Sequence, residues 1–376
     1  MLSDAANFTK SNQTKPTNTR NPTNLKTSGG PGPDVANSQE ESAAATAFAP
    51  ARLAPRVLKR YGSQAELVDR FADILQAQER QALAVGHEFN ILVSGGGGGD
   101  RSVAMRLLAA TLLRYHHHHR RALAAEPAYF TSLCDWNIFF ADERCVAQFD
   151  NESFFEMFYE WAYETVVQYP QHPEVHDVYY YPRPAGPAKV DLAPEYLKES
   201  KPARYDESVF DMLARYETTI DEIVPKGLHP VTSQALPRFD LVLLDLGADG
   251  SVGGLTAADL GAESSGHHHH HLLQLVTDAC PPYLATALPV LETASNVFVF
   301  VDPVAAAADT KPAGGDAESQ QASAAVAAAA AAMANLFERI LKPAAPADLE
   351  LPAARLYRGR QGRVEFFVDL GIHKRL

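Results

Sequence analysis

Five short apolar runs constrain this chain more than anything else in it: residues 89–94, 136–140, 239–246, 297–301 and 364–368. Each is close to continuously apolar rather than alternating, the pattern of strands buried on both faces of a parallel sheet. Helical spacing fills much of the chain between them. Leu67, Phe71, Ile74, Leu75, Ala82 and Leu83 recur at that spacing over 66–85, and further helices are predicted over 101–114, 153–167, 209–224 and 323–341. Strands that alternate with helices, each running into a polar loop, predict an α/β fold. The sheet should be doubly wound, mostly parallel and flanked by helices, with its site at the carboxyl ends of the strands.

Residues 1–50 carry no hydrophobic period and are rich in Asn, Thr, Ser, Pro and Gly. Such a segment buries too little apolar surface to offset its ordering entropy, so it is predicted to be a disordered N-terminal extension. Asp4 is its one acid before Gly32, against Lys10, Lys15, Arg20 and Lys26. An acid-poor, hydroxyl-rich leader is compatible with organelle targeting, but no amphipathic Arg-rich face accompanies it. Plain disorder, or a tail that orders against a partner, is the stronger reading, and the tail is a candidate docking segment. Residues 51–376 read as one domain carrying His-rich runs at 116–119 and 267–271 and an alanine run at 327–332. The alanines fall inside a predicted helix, where alanine costs least. Consecutive histidines cannot all face one ion from a helix or strand, so both His runs read as solvated insertions rather than metal sites.

A net charge of −13 argues against nucleic acid or an anionic membrane as the main partner. The cysteines, Cys134, Cys145 and Cys280, make neither a disulfide framework nor a zinc spacing. No apolar run approaches the roughly 18 residues that mark a membrane span. An intracellular, most simply cytoplasmic, protein is expected.

Three motifs stand at predicted strand ends. Ser94-Gly95-Gly96 opens a five-glycine turn (95–99) between a strand and a helix, a geometry that exposes backbone N–H groups to a phosphate. It lacks the lysine and hydroxyl of a nucleotide P-loop. Asp142-Glu143-Arg144 follows the second strand; Arg144 there can fork onto a phosphate or carboxylate, or simply form a surface ion pair. Asp249-Gly250-Ser251 follows the third, where an acid–glycine pair serves either as a turn or as the mount of a reactive group.

In this order the motifs resemble the 6-phosphogluconolactonase family, whose fold is shared with glucosamine-6-phosphate isomerases. That family shows Ser-Gly-Gly-Ser, then Asp-Glu-Arg, then Gly-x-x-Asp-Gly-His-Thr-Ala-Ser-Leu-Phe-Pro, a Pro-Pro segment, Leu-Pro-Val-Leu and a last strand ending in Phe-Leu-Asp. Here they correspond to Ser94-Gly95-Gly96, Asp142-Glu143-Arg144, Asp249-Gly250-Ser251 at the Asp-Gly-His step, Pro281-Pro282, Leu288-Pro289-Val290-Leu291 and Phe366-Phe367-Val368-Asp369. The resemblance spans about residues 52–371. It implies metal-free, cofactor-free hydrolysis of the ring ester of 6-phosphogluconolactone in the oxidative pentose phosphate pathway. A histidine after the Asp-Gly pair would activate water, and basic and glycine-loop groups would hold the phosphate.

The polar groups of the site depart from that pattern. Ser251 stands where the family has histidine, Val252-Gly253-Gly254 replaces Thr-Ala-Ser, and Tyr283-Leu284 replaces the arginine after Pro-Pro. Ser94, Gly95, Gly96 and Arg144 remain as phosphate-side candidates, and Asp249 with Ser251 marks the catalytic position. Kept core strands with lost site groups imply a scaffold that has lost catalysis and serves as a structural or interaction component of an assembly. The competing expectations are an active 6-phosphogluconolactonase, with a histidine of 267–271 replacing the base, and a sugar-phosphate sensor that binds without turnover.

Overall fold

The computed structural model describes residues 58–61, 64–96, 102–122, 133–147, 150–168, 172–176, 209–262, 272–276, 279, 281–302, 318–360 and 363–369. The chain divides into two compact units, Met1–Leu53 and Ala54–Leu376, and every described residue belongs to the second. The extension read over 1–50 and the His run at 267–271 lie outside the described residues.

The main sheet is built from β1 (Leu58–Tyr61), β2 (Phe89–Val93), β3 (Trp136–Phe140), β5 (Glu174–Val175), β8 (Leu241–Asp245), β11 (Asn296–Val301) and β12 (Arg363–Asp369). Its spatial order is β1-β12-β11-β8-β2-β3-β5, and every neighbouring pair is parallel. From β2 the chain winds outward to β3 and β5; it then returns to β8 and winds the other way to β11 and β12. The order therefore reverses between β2 and β8, and that crevice is where such sheets take ligands. A smaller antiparallel sheet joins β4 (Asp142–Arg144), β10 (Tyr283–Thr286) and β9 (Leu273–Val276), and β6 (Lys226–Leu228) pairs with β7 (Ala235–Pro237). The helices are α1 (Gln64–Ala84), α2 (Val103–Ala122), α3 (Phe154–Phe158), α4 (Glu164–Val166), α5 (Val209–Ile223), α6 (Ala257–Ala262), α7 (Leu288–Thr293), α8 (Glu318–Leu341), α9 (Pro346–Leu349) and α10 (Pro352–Gly359).

The last strand shows why the layers form. Side chains alternate across a strand, so Phe366 and Phe367 point to opposite faces. Phe367 meets Phe298 and Phe300 at 5.3 and 5.1 Å between ring centroids, and Phe300 in turn meets Phe71 of α1. Phe366 meets Phe337 of α8 at 4.9 Å and Tyr357 of α10 at 5.7 Å. Helices thus cover both faces, which is why the strands read as unbroken apolar runs. At the other side Trp136 packs edge-on against Phe89 and Tyr115 and donates its indole N–H to Glu79 Oε1 at 2.8 Å.

Two segments differ from expectation. Residues 116–119, read as an insertion, continue α2, because Leu112 and Tyr115 extend its buried stripe and histidine does not break a helix. The helix expected over 153–167 is α3, one π-helical turn (Tyr159–Tyr163) and α4 in succession. No helix among the described residues is long and apolar enough to cross a membrane.

Candidate functional site

Register brings the three motifs level. Val93 pairs with Phe140 on one side and with Leu243 on the other, so β2 and β3 end together and β8 runs two residues further, to Asp245. Ser94 N donates to Leu243 O and Ala141 N to Val93 O, both at 2.8 Å. Tyr216 of α5 pins the end of β3: its hydroxyl accepts from Phe140 N (2.7 Å) and donates to Phe140 O (3.0 Å). Ser94, Gly95, Gly96, Arg144, Asp249 and Ser251 all stand on the chain just beyond these ends.

The Ser94 hydroxyl is buried, accepts from Gly96 N at 3.1 Å and hydrogen-bonds the Asp142 carboxylate. Gly95 N donates to Asp142 Oδ1 at 3.0 Å. A side chain at Gly95 would run into the Phe154 ring, and Gly96 has φ +71°, so both positions need glycine. Residues 97–99 lie outside the described residues. Ser102 then caps α2: its hydroxyl accepts from Met105 N (3.0 Å) and donates to Asp245 Oδ2 (2.6 Å). Asp245 Oδ1 accepts from Val103 N and Ala104 N at 3.1 and 3.2 Å. Burial pushes the Asp245 carboxyl up to about 7 against these hydrogen bonds, and neighbouring Asp142 pushes the same way.

Asp142-Glu143-Arg144, read as the end of the strand over 136–140, forms a separate short strand, β4. Glu143 is the acceptor that starts the aromatic helix: Oε1 takes Phe154 N (2.8 Å) and Arg144 N (2.7 Å), and Oε2 takes Phe155 N (2.7 Å). Burial nevertheless pushes it up to about 8, and Asp142 up to about 6. Arg144, the expected phosphate fork, is half-buried, reaches Glu152 Oε2 with Nη1 at 3.0 Å, and lies over the Phe154 ring at 5.7 Å.

The Asp-Gly turn is closed on itself. Gly247 N donates to Ser251 O (2.9 Å), Gly250 N to Gly247 O (3.0 Å), and Ser251 N to Asp249 Oδ1 (3.0 Å). The chain then turns back through Gly253 and Gly254, with φ +56° and +77°. Tyr283, opposite Arg144 across β4 and β10, donates its hydroxyl to Gly254 O at 2.8 Å. Burial pushes this phenol up to about 12; Asp259, Asp142 and Asp249 push the same way and Arg144 opposes them. It is no proton acceptor near neutral pH.

The imidazoles described with their side chains are engaged elsewhere. His87 bonds Glu88 O, His172 bonds Pro173 O, His176 bonds Asn137 Oδ1, and His229 bonds Glu292 Oε2. None is hydrogen-bonded to Ser251. Among the described residues no group of three His, Cys, Asp or Glu is placed to hold a metal ion. Sequence reasoning missed Asp245, Glu143 as a cap, and Phe154. The signal for Asp245 was present, since an acid closing an otherwise apolar strand needs a partner. Phe154 gave none, because its neighbours make it look like an ordinary helix-core residue.

Comparison with known proteins places the fold. The sequence matches the family described as glucosamine-6-phosphate isomerases/6-phosphogluconolactonase over residues 62–332. No curated protein matches it. Among solved structures, the fold is similar to 6-phosphogluconolactonase from Trypanosoma cruzi, with TM-score 0.53 at 19% identity over 85% of this chain and 97% of that one. The Trypanosoma brucei enzyme gives TM-score 0.52 at 17% identity, over 85% and 98% of the two chains. The Leishmania guyanensis enzyme gives 0.52 at 15%, over 85% and 98%. These likenesses carry the fold, and the family match carries the descent: the chain belongs to the glucosamine-6-phosphate isomerase/6-phosphogluconolactonase family.

Proposed function

We propose that this protein keeps the family scaffold without lactone hydrolysis and serves as a structural or interaction component of a larger assembly. The observation that carries the reading is Ser251. A hydroxyl with no base beside it does not take a proton from water near neutral pH, and losing a general base costs roughly a hundred- to ten-thousand-fold in rate. The adjacent carboxylate, Asp249, has its Oδ1 engaged by Ser251 N. Arg144 is engaged with Glu152 and the Phe154 face, which further supports a cleft turned away from substrate. Residues 1–50 are the proposed docking segment of this intracellular component, and 6-phosphogluconolactone is the substrate the scaffold once took.

Lactone opening followed by NMR tests this. The purified protein is expected to leave 6-phosphogluconolactone at its spontaneous rate, and acceleration by the wild-type chain overturns the proposal in favour of an active lactonase. Ser251→His, run alongside, locates the loss. Turnover in that variant alone would assign it to one residue, and continued silence would assign it to the wider cleft.

A further inference from the structure

Building on the reading of this chain as an interaction component, we propose that the open edge of β6 is a docking site for an extended segment of a partner protein. The segment adds as a third strand, apolar beside Leu228 and acidic beside Arg238. Among the described residues the β6–β7 ribbon has no third strand. Arg238 N donates to Pro225 O at 2.7 Å and His229 N to Gln234 O at 2.8 Å, so residues 225, 227 and 229 turn their backbone groups inward, to β7. Lys226 and Leu228 therefore turn theirs outward, and no backbone group among the described residues bonds them. On the opposite edge Pro237 has no N–H to offer, so the ribbon extends on the β6 side. Lysine on an edge ordinarily guards it. Here the Lys226 ammonium is already paired with Asp221 of α5.

The edge is held ready by a buried imidazole. His229 Nδ1 accepts from Val231 N (3.3 Å) and Thr232 N (3.1 Å), and Nε2 donates to Glu292 Oε2 of α7 (2.8 Å). Ser233 is kept at φ +57°, a conformation that persists only where the surroundings over-determine it. The turn fixed in this way presents Leu228 and Val231 to solvent at 71% and 73% exposure, with exposed Ala235 across from Leu228. A preformed apolar knob loses little freedom on binding. The charge beside it depends on Gly227. A Cβ there would stand 2.7 Å from Arg238 Cδ, so the arginine stem lies along β6 because residue 227 has no side chain. Arg238 is exposed and makes no ion pair among the described residues, and an acid on the added strand answers it. A second copy of this chain is the poorer occupant. Pairing β6 with itself would centre on Gly227 and bring two Arg238 groups together, and like charges facing across strands are destabilising.

The probes are two fluorescently labelled peptides, Thr-Val-Thr-Val-Asp-Val-Thr-Val-Thr and its counterpart with lysine at the centre, titrated against the full-length protein by anisotropy. The wild type is expected to bind the aspartate peptide about two- to fivefold more tightly, the scale of an exposed ion pair. Arg238→Glu is expected to reverse that order. Leu228→Pro removes an outward N–H and none that the hairpin uses, and should weaken both peptides about threefold or more. Leu228→Ala leaves the backbone intact and should weaken both as well, through lost apolar contact. No binding of either peptide, or binding indifferent to these substitutions, overturns the proposal. So does a wild-type dimer that Leu228→Pro dissociates, which would give the edge to a second copy. Lactone turnover by the wild type would strike the loss of catalysis and leave the edge to the peptides. Absent turnover with indifferent peptides would remove the edge and leave that loss standing.

Discussion

Glu143 lies beneath the site at 1% exposure, with three backbone N–H groups as its partners. Its carboxyl is pushed up to about 8, that of Asp245 to about 7 and that of Asp142 to about 6, in each case first by burial. In the unfolded chain all three titrate in the ordinary carboxylate range near 4. A group raised on folding contributes stability that is fully present below its unfolded value and is lost as pH rises through its folded one. Stability to urea is therefore expected to fall as pH rises from about 4, where these carboxyls ionise in the unfolded chain, to about 8, where the last of them ionises in the fold. The loss is several kcal/mol, at about 1.4 kcal/mol per unit of raised pKa. Glu143→Gln keeps an acceptor for Phe154 N and Arg144 N but sets a donor against Phe155 N. It should lower the midpoint throughout and flatten the decline above pH 7. A wild-type midpoint that climbs across this range would show that the hydrogen bonds, not burial, decide the charge.

At the level of elements, the turn that carries Gly253 and Gly254 is where backbone and neighbours constrain most. Gly254 has φ +77°, and a Cβ there would stand 2.9 Å from Asp142 Cβ and 3.1 Å from Tyr283 Cε2. Gly86, at φ +86°, has nothing within 4 Å. Gly86→Ala should cost about 1 kcal/mol for conformation alone, and Gly254→Ala about 2–4 kcal/mol once the contacts are added. Equal losses on urea denaturation would mean that Asp142 and Tyr283 give way freely. The same contrast explains what could be read in advance. The strands of the large sheet are apolar on both faces, so 89–94, 239–246 and 364–368 declared themselves without help from partners. The small sheet did not: β4 is Asp-Glu-Arg, and it exists because Tyr283 and Ala285 pair with it across some 140 residues of chain. The motif order placed Ser94, Gly95, Gly96, Arg144, Asp249 and Ser251 on one edge. Whether their groups were engaged was illegible, since the partners Glu152 and Phe154 carry no motif of their own.

For the whole molecule, the issue is how the core and the N-terminal unit share stability and assembly. Every residue of the buried cluster falls between Leu67 and Val368, within the unit that begins at Ala54. The aromatic stacks that fasten β11 and β12 to α1, α8 and α10 lie there too. If residues 1–53 serve docking rather than packing, their removal should leave the unfolding midpoint within roughly 0.5 kcal/mol of the full chain, as for a change that touches no buried contact. The same deletion should shift the protein from high-mass to low-mass fractions when native extracts are separated by size. Both readings are needed, because each alone has a trivial cause. A destabilised truncation would mean that the segment packs on the core and is no separate docking arm. An undisturbed truncation that still migrates with the assembly would move the interaction surface onto the α/β unit, where the open edge of β6 would be the first place to map it.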